Sequence, residues 1–122
     1  MKRSIIQEKS YFFALKIISF YKYLAHQQRE YIIAKQILRS GTSIGANVEE
    51  AAGGQSRKDF IAKLCISYKE TRETHYWLRL IRDSELAPLD KVTVLIKDCE
   101  ELLRILGAIK KTTLNSQLLT LN

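Results

Sequence analysis

The side chains through which this chain could do chemistry are two histidines, two cysteines and thirteen carboxylates. His26 falls in the polar stretch His26-Gln27-Gln28-Arg29 and His75 on an inward helical face. Neither has a second His or Cys at metal-ligand spacing, so His75 is expected as a core histidine with a hydrogen-bond partner. Glu49 and Glu50 are adjacent and point ~100° apart on a helix. Glu70 and Glu73 do share a face, but no Glu-x-x-His motif on another helix completes a di-metal site. Ser40 and Ser43 have only Arg39 and Asn47 within helical reach, and neither can act as a base. Gly41 and Gly45 form no phosphate loop, because no strand precedes them and no Gly-Lys-Ser/Thr follows. The expectation is a non-enzyme with no cofactor, no metal and no small-molecule substrate.

The elements that carry these residues are helices. Gln36 through Ala51 reads as a helix built from residues that form helices poorly, with Ile33, Ile37, Gly41, Ile44, Gly45, Val48 and Ala51 on one stripe. Gln36, Ser40, Ser43 and Asn47 line up beside it as a small polar strip, serving either a subunit contact or the locking of helices within one chain. Each interior Gly costs roughly 1 kcal/mol relative to Ala, so both glycines are expected where another helix approaches closely. Around this segment three more amphipathic stretches follow with short connections. The first spans about 4–25. The second runs from about 29 to the Gly53-Gly54 pair, read as a C-terminal cap. The third starts after Ser56, an N-cap with Asp59 three residues on, and buries Phe60, Ile61, Leu64, Tyr68, Thr71, His75 and Leu78. Pro88 opens the fourth. The pattern predicts an all-α, up-down-up-down antiparallel four-helix bundle over residues 1–112, followed by a C-terminal tail, 113–122.

Composition agrees with one cytoplasmic domain. The 122 residues are 46% hydrophobic, yet no apolar run approaches the ~20 needed to span a bilayer, so no membrane partner is expected. The N-terminus meets Glu8, Lys9 and Ser10 before a signal-peptide core can form. Cys65 and Cys99 are expected as buried thiols in a reducing compartment.

Two surface features point to partners. Ile66, Trp77, Leu80 and Ile81 cluster on the third helix away from its core stripe, beside Glu70 and Glu73, which predicts a homo-oligomer contact. The net charge is +7, and in an up-down-up-down bundle one end collects Lys2, Arg3, Lys9, Arg57, Lys58, Lys63, Lys110 and Lys111 against Glu8, Glu49, Glu50 and Asp59. That pole is expected to attract RNA or DNA phosphates, while Arg79, Arg82 and Lys91 at the opposite end matter less. Tyr11, Phe12 and Tyr23 sit at helical spacing and are expected in the core rather than as base-stacking platforms.

The run Glu30, Gln36, Arg39-Ser40, Ser43-Ile44, Asn47, Glu50, then Ser56, Asp59-Phe60, Lys69-Glu70, Glu73-Thr74 and Tyr76-Trp77-Leu78, resembles the bacterial four-helix-bundle proteins encoded within intervening sequences of 23S ribosomal RNA genes. The resemblance covers roughly residues 10 to 110. It implies a cyclic pentamer and an RNA partner. A related branch serves diversity-generating retroelements as an accessory protein that binds nucleic acid and a reverse transcriptase, so a protein scaffold for a polymerase-like or ribosomal partner is the alternative. The resemblance supplies no activity for the intervening-sequence branch.

Overall fold

A computed structural model describes residues 4–121, with side chains as far as Asn115. Four helices account for nearly all of it: α1 (Ile5–His26), α2 (Ile32–Ala52), α3 (Arg57–Asp83) and α4 (Leu89–Leu121). Each packs on its sequence neighbour, and α1 closes the square against α4, with no diagonal contact among the described residues. Facing residues run in opposite order along every adjacent pair, for example Ser67 with Ile44, Thr74 with Ser40 and Lys16 with Asp98. The architecture is therefore the antiparallel up-down-up-down bundle that the periodicity predicts.

The helix boundaries have local causes. Ser4 and Gln7 form a reciprocal capping box at the start of α1, and Ser56 Oγ accepts the Asp59 amide at the start of α3. At the start of α2, Glu30 accepts the amides of Ile33 and Ala34 at 3.2 and 3.0 Å. Arg29 and Glu85 take left-handed backbone conformations, with φ of 53° and 59°, and turn the chain after α1 and α3. Gly53 and Gly54 do end α2, but neither has a positive φ, so the expected left-handed glycine cap is replaced by ordinary turn bonds from Gly53 N–H to Glu49 and Gly54 N–H to Ala51.

The core is a single cluster of Phe13, Ile17, Phe20 and Leu24 from α1, Ile37, Ile44 and Val48 from α2, Leu64, Leu78 and Ile81 from α3, and Val92, Cys99, Leu102 and Leu106 from α4. Gly41 and Gly45 lie where α1 crosses α2: a Cβ at Gly41 would stand 2.9 Å from the Ile17 side chain, and one at Gly45 would stand 3.3 Å from the Ser10 carbonyl. Buried hydroxyls line the opposite seam, between α2 and α3. Ser67 donates to the Ile44 carbonyl at 2.9 Å, and Thr74 and Ser40 hydroxyls are hydrogen-bonded at 2.8 Å. No buried side-chain polar atom among the described residues lacks a partner, so these groups tie helices together without a desolvation penalty left open.

Five residues are placed differently from the sequence reading. Ile81 is fully buried and belongs to the core rather than to the outer face of α3. His75 stands at the rim of the α3–α4 seam, 3.2 Å from Glu100, instead of inside the core. Cys65 is only half-buried, whereas Cys99 is enclosed. Tyr11 and Phe12 are exposed, because the core stripe of α1 passes through Phe13 and Ile17 and leaves positions 11 and 12 pointing outward. Among the described residues, no helix is long and apolar enough to cross a membrane.

Candidate functional site

The polar strip of α2 and the second apolar face of α3 meet on one side of the bundle. Arg39 bridges them: its guanidinium bonds Glu70 at 3.2 Å and also Glu73, and Glu73 in turn accepts the Trp77 indole N–H at 3.0 Å. Glu70, Glu73 and Trp77 fall at i, i+3 and i+7 on α3, which sets them on one face for a single Arg to reach. Trp77 is thus half-buried, packed against the core and fixed in orientation. Ile66 and Leu80, at 40% and 37% exposure, remain open on either side of it.

The strip itself divides. Ser40 is buried and bonds Thr74. Asn47 turns back on its own helix and donates to the Ser43 carbonyl and hydroxyl at 2.8 and 3.0 Å, leaving both half-buried at the surface. Gln36 is exposed. Of the strip, only Ser40 therefore serves packing within the chain, as Gly41 and Gly45 beside it do. The Arg39 network was legible in the sequence as an acidic pair one turn from Trp77, but its cation could not be chosen without the α2–α3 register.

The basic pole is less uniform than the residue count suggests. Lys9 pairs with Glu101 at 3.0 Å, and Lys63 with Glu50 at 2.8 Å. The Lys110 ammonium lies 4.8 Å from the centre of the Tyr68 ring. Arg57, Lys58 and Lys111 are exposed at the same end, and Lys2 and Arg3 lie outside the described residues. Ile6 and Ile109 line one cavity of about 260 Å³ there, with Val48, Phe60 and Leu64, so the described helix α4 runs about three turns beyond the level where α1 begins. The cavity walls are largely apolar, and Ser4, its one hydroxyl, is engaged in the cap of α1.

Elsewhere the acids are mostly committed. Asp98 holds Lys16 at 2.7 Å across α1 and α4, and Asp83 holds Arg82 at 2.8 Å. The hydrogen bond from Arg82 keeps the Asp83 carboxyl below its ordinary range, with that guanidinium's charge acting in the same direction. Among the described residues, no three His, Cys, Asp or Glu side chains converge as metal ligands would. What the arrangement can do is bind: it offers apolar faces on α3 and on α1, where Tyr11, Phe12, Leu15 and Ile18 are exposed, and exposed cations such as Lys58 and Lys111.

The model of the family described as 23S rRNA-intervening sequence protein matches residues 2–108. The crystal structure of a protein with unknown function from the S23 ribosomal protein family of Bacteroides thetaiotaomicron is similar at a TM-score of 0.86 and 45% identity, covering 88% of this chain and 99% of that one. No curated protein matches.

Proposed function

Since the chain belongs to the 23S rRNA-intervening sequence protein family, we propose that it is a non-enzymatic bacterial bundle that assembles with copies of itself and engages structured RNA through its basic surface. The observation that carries this reading is the charge balance. The chain holds 20 basic and 13 acidic residues; six of the acids meet five cations in ion pairs, and exposed cations such as Lys58, Lys69, Arg72 and Lys97 are left facing solvent. A polyanion is the partner that such a surface attracts, through release of condensed counterions. The family's own description, which ties it to ribosomal RNA genes, points to RNA as that polyanion.

Assembly is supported by the apolar side chains left open on α1 and α3. A closed homopentamer would repeat the cationic surface around a ring and raise RNA avidity by multivalency. The same open side chains favour the second reading, a scaffold that docks a reverse transcriptase or ribosomal protein without touching nucleic acid. A salt series separates the two. RNA binding should weaken steeply between ~50 and ~200 mM salt; absence of binding at the low end would favour the scaffold.

A further inference from the structure

One side of the bundle is rich in exposed cations, with the exposed Glu100 carboxylate, bonded to His75, among them. Lys69, Arg72 and Arg79 project from one stripe of α3, and Lys97 and Arg104, seven residues apart, from the adjoining stripe of α4. All five are exposed, and among the described residues none of them forms an ion pair. The helices run antiparallel in a register set by the Cys99 thiol on the Thr71 carbonyl and by His75 on Glu100. That register places Lys97 between the levels of Arg72 and Arg79, and Arg104 near that of Lys69. The result is two short ladders of cations side by side, about 15 Å long from Lys69 to Arg79 at helical rise.

Arg79 helps hold the Asp83 carboxyl down, but no carboxylate stands within ion-pair distance of the five cations among the described residues, so the monomer gains little from gathering them. On the α1–α4 side, by contrast, Lys9 and Lys16 each face an acid, as do Arg39 and Lys63 on the α2–α3 side. Of the acids beside the ridge, Glu100 is hydrogen-bonded to His75, Glu101 pairs with Lys9 and Asp83 with Arg82. The open apolar side chains of α1 lie on another side of the bundle, whereas Ile66 and Leu80 border the ridge on α3.

We propose that this lateral α3–α4 ridge, rather than the end of the bundle, is the principal nucleic-acid surface, and that its partner is a double-stranded RNA segment whose phosphates sit on Lys69, Arg72, Arg79, Lys97 and Arg104. The proposal rests on the RNA reading above and locates it. A duplex fits better than a single strand for two reasons. The cations stand on straight, rigid helices, as a regular backbone requires, and duplex RNA is recognised mainly by shape and by phosphate and 2′-hydroxyl contacts. Single strands are held by successive aromatic platforms, whereas the ridge has one aromatic, Tyr76, whose ring already makes an edge contact with Trp77 and lies under the Arg79 guanidinium at 5.9 Å. No side chain on the ridge is placed to read base edges, so binding should be independent of sequence.

The test uses the full chain and a ~20-base-pair RNA duplex, with affinity measured across a salt series. Five phosphate contacts should give a slope of log K against log salt near −4 to −5. The combined variant Lys69→Gln, Arg72→Gln, Lys97→Gln and Arg104→Gln should flatten that slope by about 3 to 4 and lose at least ~100-fold in affinity at ~150 mM salt. The pole variant Lys58→Gln, Lys110→Gln and Lys111→Gln should bind within about threefold of wild type. Helical circular dichroism and mass should be unchanged in both; if the fourfold variant loses helicity, the pair Lys69→Gln and Arg72→Gln carries the same test at half the slope change. Loss in the pole variant with a wild-type ridge variant, or equal loss in both, overturns the ridge while the RNA reading stands. Preference for single-stranded RNA overturns the choice of a duplex. No binding of either RNA by wild type at ~50 mM salt ends both proposals.

Discussion

Cys99 lies without solvent exposure between α4 and α3, its Sγ donating to the Thr71 carbonyl at 3.4 Å. Burial, with lesser contributions from the Glu100 and Asp98 charges, pushes its pKa up to about 12 from an ordinary 9.0. Between those two values the folded chain keeps a proton that the unfolded chain releases, so stability falls as pH rises through this window and is unaffected below it. Comparison with Cys99→Ala removes the contributions of lysines and tyrosines that titrate in the same range. The stability difference between wild type and this variant, from urea unfolding, should be constant between pH ~7 and ~8.5 and should shrink by about 1–2 kcal/mol at pH ~10.5. A difference that stays constant throughout would show that the folded protein ionises this thiol as readily as the unfolded one. Trp77 illustrates the same dependence on surroundings: Glu73 holds its indole N–H and Arg39 holds Glu73, which makes it a fixed part of the α2–α3 seam with its neighbours Ile66 and Leu80 open.

At the scale of the element, α2 is a helix stabilised by its neighbours. Gly41 and Gly45 weaken it intrinsically, and both admit α1, whose Ile17 and Ser10 occupy the space a Cβ would need. On the other side Ser40 meets Thr74, and the Ile44 carbonyl accepts from Ser67. Leucine has the better helix propensity by up to ~1 kcal/mol over glycine, so an exposed Gly41→Leu change would stabilise. Here Ile17 is itself enclosed in the core and has nowhere to retreat. Gly41→Leu should therefore lower the unfolding free energy by ~1 to 3 kcal/mol, read from the midpoint of chemical denaturation at unchanged slope. A variant more stable than wild type would mean that α1 does not cross α2 at this residue.

For the whole molecule the open apolar faces decide what the bundle does next. A closed ring of more than two copies requires two different surfaces that complement each other, and the bundle has two candidates: the outward side of α1, with Tyr11 at 50% and Phe12 at 58% exposure, and the flanks of Trp77 on α3. Light scattering at micromolar concentration should give a mass several times 14.1 kDa, five-fold if the expected pentamer forms. Ile66→Lys combined with Leu80→Lys should dissociate the assembly and leave helical circular dichroism intact, because neither side chain is in the core. A monomer mass for wild type would remove the ring, and with it the multivalent part of RNA binding.

The sequence by itself determined the helices, their order and the Ser56 cap, because these follow from 3.6-residue periodicity and from a local hydrogen bond. It also determined the family, through the fixed spacing from Gln36 to Glu50 and from Ser56 to Leu78, and the match over residues 2–108 bears this out. Only the tertiary structure decided which helix each glycine admits, which cation meets Glu70 and Glu73, and which cations are left over. A helical wheel places a side chain on a face but cannot say how far along its partner helix that face is met. A shift of one turn would have exchanged the acids facing Lys9, Lys16 and Lys63. Ile81 shows the same limit, since a wheel gives direction around one axis and burial depends on where three other axes stand. The net charge could be counted from composition, but which cations stand together on the α3–α4 side follows only from the packing of the helices.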